Sequence, residues 1–366
     1  MKRLISIFLF AFCILTAGCF YYPKEHCSAD SKKYEIDTKG IGEERLFFNV
    51  RDSINGRLDQ TAMKLQEMGF DQEVILKYLF TNYDEVVEYL KSYNIAAVDS
   101  KIVYENGRVY PTKETSGRAI EEMIFRDMLF EKVLANEPYL TVPFEEIQAD
   151  STYAQNINFC NLKSFFKTPI NGINQEGRIH NIQEALSRFD EKVVESGEIV
   201  SFNEVIGNTT KENGYALAKV IINGKYEDDY GGGVCQAATT LYNALLLAGV
   251  DVLEANPHSL KVGYVEGSFD SMVSYGISDL VFKNTTNGPL FIKTSCSSNG
   301  CSVSIYGAEN EYDIKRRTEN IDFDEEQYPK IKYKSAGFLE YYKNGEKQFE
   351  KKIRKDNYYK IKNESV

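Results

Sequence analysis

The stretch Gly231-Gly232-Gly233-Val234-Cys235-Gln236-Ala237-Ala238-Thr239-Thr240-Leu241-Tyr242-Asn243-Ala244-Leu245 constrains this chain more than any other. Three successive glycines free the backbone and permit a close approach by other groups. The Ala, Leu and Thr residues that follow Cys235 begin a helix, which places the thiol at or near a helix N-terminus. The unpaired N–H groups and the dipole there favour a thiolate and lower a cysteine pKa. Together with the glycine N–H groups they also suit the oxyanion that forms when a carbonyl is attacked. The plainer alternative is a buried helix cysteine beside a tight turn. A phosphate loop is disfavoured, because no Lys-Ser/Thr follows the glycines and Asp228-Asp229 would repel a phosphate.

A thiol nucleophile wants a base, and the chain has three histidines. His26 falls near the N-terminus. His180 precedes an expected helix and reads as a surface or capping residue. His258, in Asn256-Pro257-His258-Ser259, follows the strand-like residues 250–253 and shares a unit with Cys235. Asp270, Asp279 and Asn203 are candidates to orient its ring. Metal and cofactor chemistry are not indicated: there is no Cys-x-x-Cys, no His-Glu-x-x-His, no dinucleotide fingerprint and no Gly-x-Ser-x-Gly elbow.

The N-terminus points to export. Lys2 and Arg3 precede an apolar run over residues 5–15, too short to span a bilayer, which ends in Leu15-Thr16-Ala17-Gly18-Cys19. This layout resembles a bacterial lipoprotein signal, with residues 1–18 removed and Cys19 lipidated; an ordinary cleaved signal or an uncleaved anchor are the alternatives. The expected location is extracytoplasmic, on the outer face of the cytoplasmic membrane. Removing residues 1–18 takes away two positive charges and no acid, so the net charge goes from −11 to −13. An acidic chain with no basic run is a poor nucleic-acid binder. Beyond Cys13 and Cys19, five cysteines remain: Cys27, Cys160, Cys235, Cys296 and Cys301. An odd count leaves at least one thiol unpaired in an oxidising compartment. Cys296 and Cys301 flank the turn sequence Ser-Ser-Asn-Gly and could bond across a hairpin; Cys27 with Cys160 is a further possibility, and Cys235 is the natural leftover.

The pattern of the chain suggests an α+β fold in several parts. Residues 19–36 read as a tether. Residues 37–150 form a first unit with apolar residues at helical spacing over 53–68 and 72–93, a hairpin over 96–110 turning at Asn106-Gly107, a helix to about residue 135, and a strand at 139–142. A second unit spans about 165–308, with a helix over 181–194, the glycine loop and helix at 231–249, and β-rich remainder. Residues 309–366 alternate in places and turn at Asn344-Gly345, which predicts a small β-rich C-terminal extension.

Residues 165–308 resemble the VanW family. The resemblance is carried in order by Gly177-Arg178-Ile179-His180-Asn181-Ile182, Ser201-Phe202-Asn203, Gly207, Gly214-Tyr215, the Gly231 to Asn243 block and Pro257-His258-Ser259. It continues through Tyr264, Asp270, Val273, Tyr275-Gly276, Asp279-Leu280 and Lys283-Asn284 to Tyr306-Gly307. Four places depart from the usual pattern: Ser196-Gly197 for Pro-Gly, Ala237-Ala238 for Val-Ser, Ala255-Asn256 without a basic residue, and Ser271 for Ala. The preceding unit resembles a peptidoglycan-binding module through residues 101–109 and Gly117 with the following helix. The resemblance implies an L,D-transpeptidase that forms 3→3 cross-links between peptidoglycan stem peptides. Cys235 would be the nucleophile, His258 the base and Asp270 its orienter. Gly232, Gly233 and the Gln236 N–H would hold the oxyanion, and Asn203, Ser259 and Tyr264 would contact substrate. No metal or organic cofactor is implied. A stem-peptide hydrolase with the same residues, and a non-catalytic wall-binding lipoprotein, are the alternatives.

Overall fold

A computed structural model describes residues 34–37, 45–49, 58–80, 83–137, 139–170, 176–222 and 225–360. The expected signal segment 1–18, the lipidation site Cys19, and Cys27 lie outside the described residues. The end of the segment read as a tether is a strand, Tyr34–Asp37, paired antiparallel with Arg45–Asn49. No helix among the described residues is long and apolar enough to cross a membrane.

The α+β expectation holds, and the chain separates into two compact units. The first comprises residues 1–98 and 114–150. Its described core is helical: Leu58–Glu67, Gln72–Leu79, Tyr83–Lys91 and Glu122–Leu134 bury Leu65, Ile75, Leu76, Val86, Leu90, Phe125, Leu129 and Val133. Those positions recur at helical spacing, so each helix turns one apolar stripe inward. Asp71 caps the second helix by accepting from the Val74 N–H at 2.9 Å. A short antiparallel pair, Gly117–Ile120 with Phe144–Ile147, completes it.

The second unit comprises residues 99–113 and 151–366. It includes the hairpin Ile102–Glu105 and Arg108–Pro111, whose turn residues Asn106 and Gly107 both have positive φ. The helix Val234–Leu247 runs through its centre, with every residue from Val234 to Leu246 buried except Cys235. A helix buried on all sides needs neighbours on every side. It has them: the helix Glu176–Ser187, and an antiparallel sheet ordered Asn161–Thr168, Gly300–Gly307, Leu290–Ser297, Lys192–Val194. Val303 and Ile305 alternate inward from that sheet. The expected helix over 181–194 instead begins at Glu176 and stops at Ser187, and Lys192–Val194 is an edge strand of the sheet.

The C-terminal extension is a three-stranded meander, Asp313–Asn320, Ile331–Lys343 and Glu346–Tyr359. Its tight turn is Asn344-Gly345, with φ of 54° and 81°, the conformation that an Asn-Gly hairpin supplies. Arg316 reaches from the first of these strands to the central helix, where its Nη1 donates to Asn243 Oδ1 at 2.5 Å, and its guanidinium lies over Phe166 and Phe269.

Candidate active site

The glycine turn sets where the thiol can go. Gly233 is the N-cap of the central helix at φ 111°, a conformation costly for any residue with a Cβ. Gly232 lies so close to the neighbouring strand that an added Cβ would come within 2.7 Å of the Lys219 carbonyl oxygen. Asn181, itself buried, stitches this approach: its amide donates to Ala216 O and Gly232 O at 2.9 and 3.0 Å, and its Oδ1 accepts from the Ala216 N–H. Cys235 therefore begins the second position of the helix, partly buried, with its Sγ 3.4 Å from Val273 O and 3.5 Å from Val273 N. A thiol can donate to that carbonyl, whereas a thiolate can only accept from the N–H.

Three of the predicted residues come together. His258 Nδ1 and Asp270 Oδ2 are 2.7 Å apart, and the same oxygen accepts from the His258 backbone N–H at 2.7 Å. That bond fixes the ring and leaves Nε2 for Cys235, with which the imidazole is in hydrogen-bond contact. Asp270 is 1% exposed and His258 8%, so the pair is shielded from water. Of the three candidates to orient the base, Asp270 is the one in contact with it. Asp279 instead accepts from Ser201 Oγ and the Asn203 N–H, and Asn203 donates to Ser278 O at 2.8 Å. Asn203 and Asp279 thus brace the loop over residues 274–279 and line a cleft of about 390 Å³ with Tyr275 and Ile277.

The charges of this relay support one another. Burial alone would push the Cys235 thiol up, but the hydrogen bond and charge of His258, the Val273 backbone and Arg178 bring it below the ordinary cysteine value. Burial disfavours the charged ring of His258, yet Asp270 and Cys235 raise it to about 9. Burial likewise opposes the Asp270 carboxylate, and His258 with Arg354 holds it below the usual range. These directions favour a thiolate–imidazolium pair steadied by a buried carboxylate, the kind of pair that can attack an electrophilic carbonyl and later return a proton.

The other predicted residues have different work. The Gln236 N–H, expected at an oxyanion, donates to Gly233 O at 2.8 Å, because the first helical turn closes there. Its side chain is scaffold: Oε1 accepts from Arg178 at 2.7 Å, and Nε2 donates to Thr168 Oγ1 and Pro169 O. The Cys235 and Gly233 N–H groups have no hydrogen-bond partner among the described residues. Tyr264 packs its ring against the Arg178 guanidinium, 5.9 Å from its centroid, with its hydroxyl on Thr239. Ser259 is exposed, and its carbonyl accepts from the Tyr359 N–H at 2.8 Å. His180 lies on the surface of its helix with Nε2 2.7 Å from Gly214 O. Cys296 and Cys301 face each other directly across the hairpin, but as free thiols in hydrogen-bond contact rather than as a disulfide. The hydroxyls of Thr168 and Thr240 lie 3.1 and 3.3 Å from Cys301 Sγ.

Four residues of this centre carry no role in the sequence reading. Arg178 and Val273 were visible only as members of a family pattern. Arg354 and Tyr358 come from the expected β-rich C-terminal extension, and nothing local marks them.

The comparisons with known proteins fall on this same region. The family described as "VanW like protein" matches residues 177–306. Residues 177–306 form a VanW-like domain. An "Uncharacterized protein YoaR" of Bacillus subtilis (strain 168) is 34% identical over 134 residues, 37% of this chain and 44% of that protein. The "Vancomycin B-type resistance protein VanW" of Enterococcus faecalis (strain ATCC 700802 / V583) is 26% identical over 120 residues, 31% of this chain and 44% of that protein. The chain thus spans less than half the length of these curated relatives. No solved structure matches it. The VanW-like domain contains Cys235, His258, Asp270, Arg178 and Val273, and stops short of Arg354 and Tyr358.

Proposed function

We propose that this protein is a cysteine acyltransferase of peptidoglycan, an L,D-transpeptidase that forms 3→3 cross-links. The observation that carries the reading is the Cys235–His258–Asp270 relay, with His258 Nδ1 2.7 Å from a carboxylate that is 1% exposed. The choice of stem peptides as substrate rests on the VanW resemblance. The Cys235 thiolate attacks the carbonyl of the third stem residue, and the Cys235 N–H, open at the helix N-terminus, stabilises the oxyanion. The imidazolium of His258 gives its proton to the amine of the departing terminal D-residue. A thioester remains. The neutral ring then takes a proton from the side-chain amine of a neighbouring stem, which attacks the thioester, forms the amide cross-link and releases the sulfur. A lipid on Cys19 would hold the enzyme at the outer face of the cytoplasmic membrane, within reach of the wall.

The test is mass spectrometry of muropeptides after incubating purified disaccharide-tetrapeptides with the protein and with Cys235→Ala. Cross-linked dimers that have lost one terminal D-residue, absent with the variant, are the expected result. Tripeptide monomers alone would make the protein a hydrolase of the same bond. Unchanged substrate in both samples would leave a wall-binding protein.

A further inference from the structure

The carboxylate that orients His258 is held from outside the VanW-like domain. Asp270 Oδ1 accepts from Arg354 Nη2 at 2.9 Å and from the Tyr358 hydroxyl at 2.7 Å. Arg354 also donates to the Asp270 main-chain carbonyl, and its Nη1 lies 3.4 Å from Ala255 O. On its other side, Arg354 Nε donates to Asp356 Oδ2 at 2.7 Å, and the guanidinium lies 5.7 Å from the Tyr242 ring centroid on the central helix. Both donors come from the strand Glu346–Tyr359, beyond the last residue that the family description matches.

The same strand and its neighbours fasten the backbone on both sides of the relay. The Tyr359 N–H donates to the carbonyl of Ser259, next to His258, and the Ser268 N–H donates to the Tyr358 hydroxyl at 2.7 Å. Ser268 Oγ and Ser335 Oγ are 2.9 Å apart, and Thr318 Oγ1 donates to Gly267 O at 2.9 Å. The approach is close enough that a Cβ on Gly337 would lie 2.9 Å from Ser268 O. The buried groups that face the Asp270 carboxyl are His258, Arg354 and Tyr358, with Asp356 behind Arg354. With Oδ1 taken by two donors from one strand, Oδ2 has a single direction left, toward His258.

We infer that the C-terminal strand Glu346–Tyr359 is part of the reactive centre, with Arg354 and Tyr358 as positioning residues that hold the Asp270 carboxylate turned toward His258. The inference rests on the catalytic reading of Cys235, and places two requirements of that site outside the domain that names the family. Neither residue touches the reacting atoms; both act through Asp270.

The experiment follows the thiolate rather than the wall chemistry. The full chain and its Arg354→Gln, Arg354→Lys, Tyr358→Phe and Lys355→Gln variants are alkylated with iodoacetamide across a pH series. Occupancy of Cys235 is read by peptide mass spectrometry, alongside a thermal melt. Losing Arg354 leaves the Asp270 carboxylate less well held. As pH falls, the thiolate–imidazolium pair then collapses earlier, and the acid limb of the Cys235 profile moves up by on the order of one pH unit, tenfold in rate below the limb. Tyr358→Phe moves the limb the same way by less, Arg354→Lys restores part of it, and Lys355→Gln, on the exposed face of the strand, leaves it in place. A folded Arg354→Gln with the unaltered profile overturns the inference. Should Arg354→Gln fail to fold, Tyr358→Phe decides: it keeps the ring and removes only the hydroxyl, and an unmoved limb overturns the inference there. An ordinary thiol profile in the unaltered chain would sink the catalytic reading itself, and this inference with it.

Discussion

Cys235 and Asp270 sit at opposite ends of one hydrogen-bonded relay, yet they are held in place by contacts of different range. The thiol is set mainly by its own surroundings in the chain: a glycine turn at φ 111° on Gly233, a helix that starts at Val234, and Gly231 and Gly233 carbonyls that accept from the Val234 and Gln236 N–H groups. The carboxylate is set from far away, by a histidine 12 residues earlier and by Arg354 and Tyr358, 84 and 88 residues later. Local geometry places the nucleophile at the helix start, and distant groups such as Asn181 and Val273 then pack around it. A buried anion cannot be local in the same way, because its desolvation cost has to be offset by several donors that converge from different elements. The difference predicts that the carboxylate side should be the fragile one.

The strongest way to break that comparison is Asp270→Asn. The amide keeps the volume, but its NH2 group must face either the His258 Nδ1–H or the Arg354 and Tyr358 donors. Acyl transfer should fall by roughly 10⁴-fold, as when the acid of a comparable triad is amidated. Stability should drop by about 3–5 kcal/mol, since Arg354 loses its buried partner. Turnover within tenfold of the unaltered chain would mean that His258 needs no carboxylate to orient it.

The pH profile sharpens the same contrast. On the proposed mechanism, cross-linking requires the thiolate and the imidazolium together. Its rate should rise as Cys235 ionises, at a pH below the ordinary cysteine value, and fall as the pH passes about 9, where His258 loses its proton. Asp270 is the largest of the influences that lift His258, so the alkaline limb in Asp270→Asn should move to lower pH. An alkaline limb that stays at about 9 in that variant would place the stabilisation of the ring elsewhere.

On the nucleophile side, Gly233→Ala should cost less. A Cβ there meets Arg178 O and the Ile182 side chain at 3.0 Å in a left-handed conformation, worth about 1–3 kcal/mol of destabilisation. A urea midpoint measures the loss. The alkylation rate of Cys235 reports whether the helix start moves with it, and an unchanged midpoint would show that the turn tolerates a side chain.

What could be read in advance follows the same division of range. Gly231 to Leu245 announced a turn, a helix and a thiol at its start, because all three are decided within one stretch. The Asn106-Gly107 and Asn344-Gly345 turns were legible for the same reason, and the Ser298-Asn299 turn falls within the expected Ser-Ser-Asn-Gly sequence. The helix expected over 181–194 was misplaced, because tertiary pairing of Lys192–Val194 with Leu290 to Ile292 overrides the local pattern. The family resemblance put the Gln236 N–H at an oxyanion, and the closure of the first turn onto Gly233 O was not visible in the sequence. Arg354 and Tyr358 were beyond reach: in an alternating run of Lys, Arg, Asp and Tyr, nothing distinguishes the side chains that enter the core from those that face water.

The smallest expected effect separates the two sides most finely. Ser271, beside Asp270, stands where the VanW pattern usually has Ala. Its N–H donates to Thr239 Oγ1 at 2.9 Å and its carbonyl accepts from the same hydroxyl, so the main chain is satisfied on the central helix. Its own Oγ is fully buried and has no hydrogen-bond partner among the described residues. A buried hydroxyl without a partner costs about 1–3 kcal/mol, while a methyl in the same place costs no hydrogen bond. Ser271→Ala should therefore raise the melting temperature by a few degrees, corresponding to about 1 kcal/mol, and leave the Cys235 alkylation profile unchanged. A lower melting temperature would give the hydroxyl a partner in solution. A shifted alkylation profile would make Ser271 one more group that holds Asp270, and would extend the long-range support of the carboxylate into the loop that carries it.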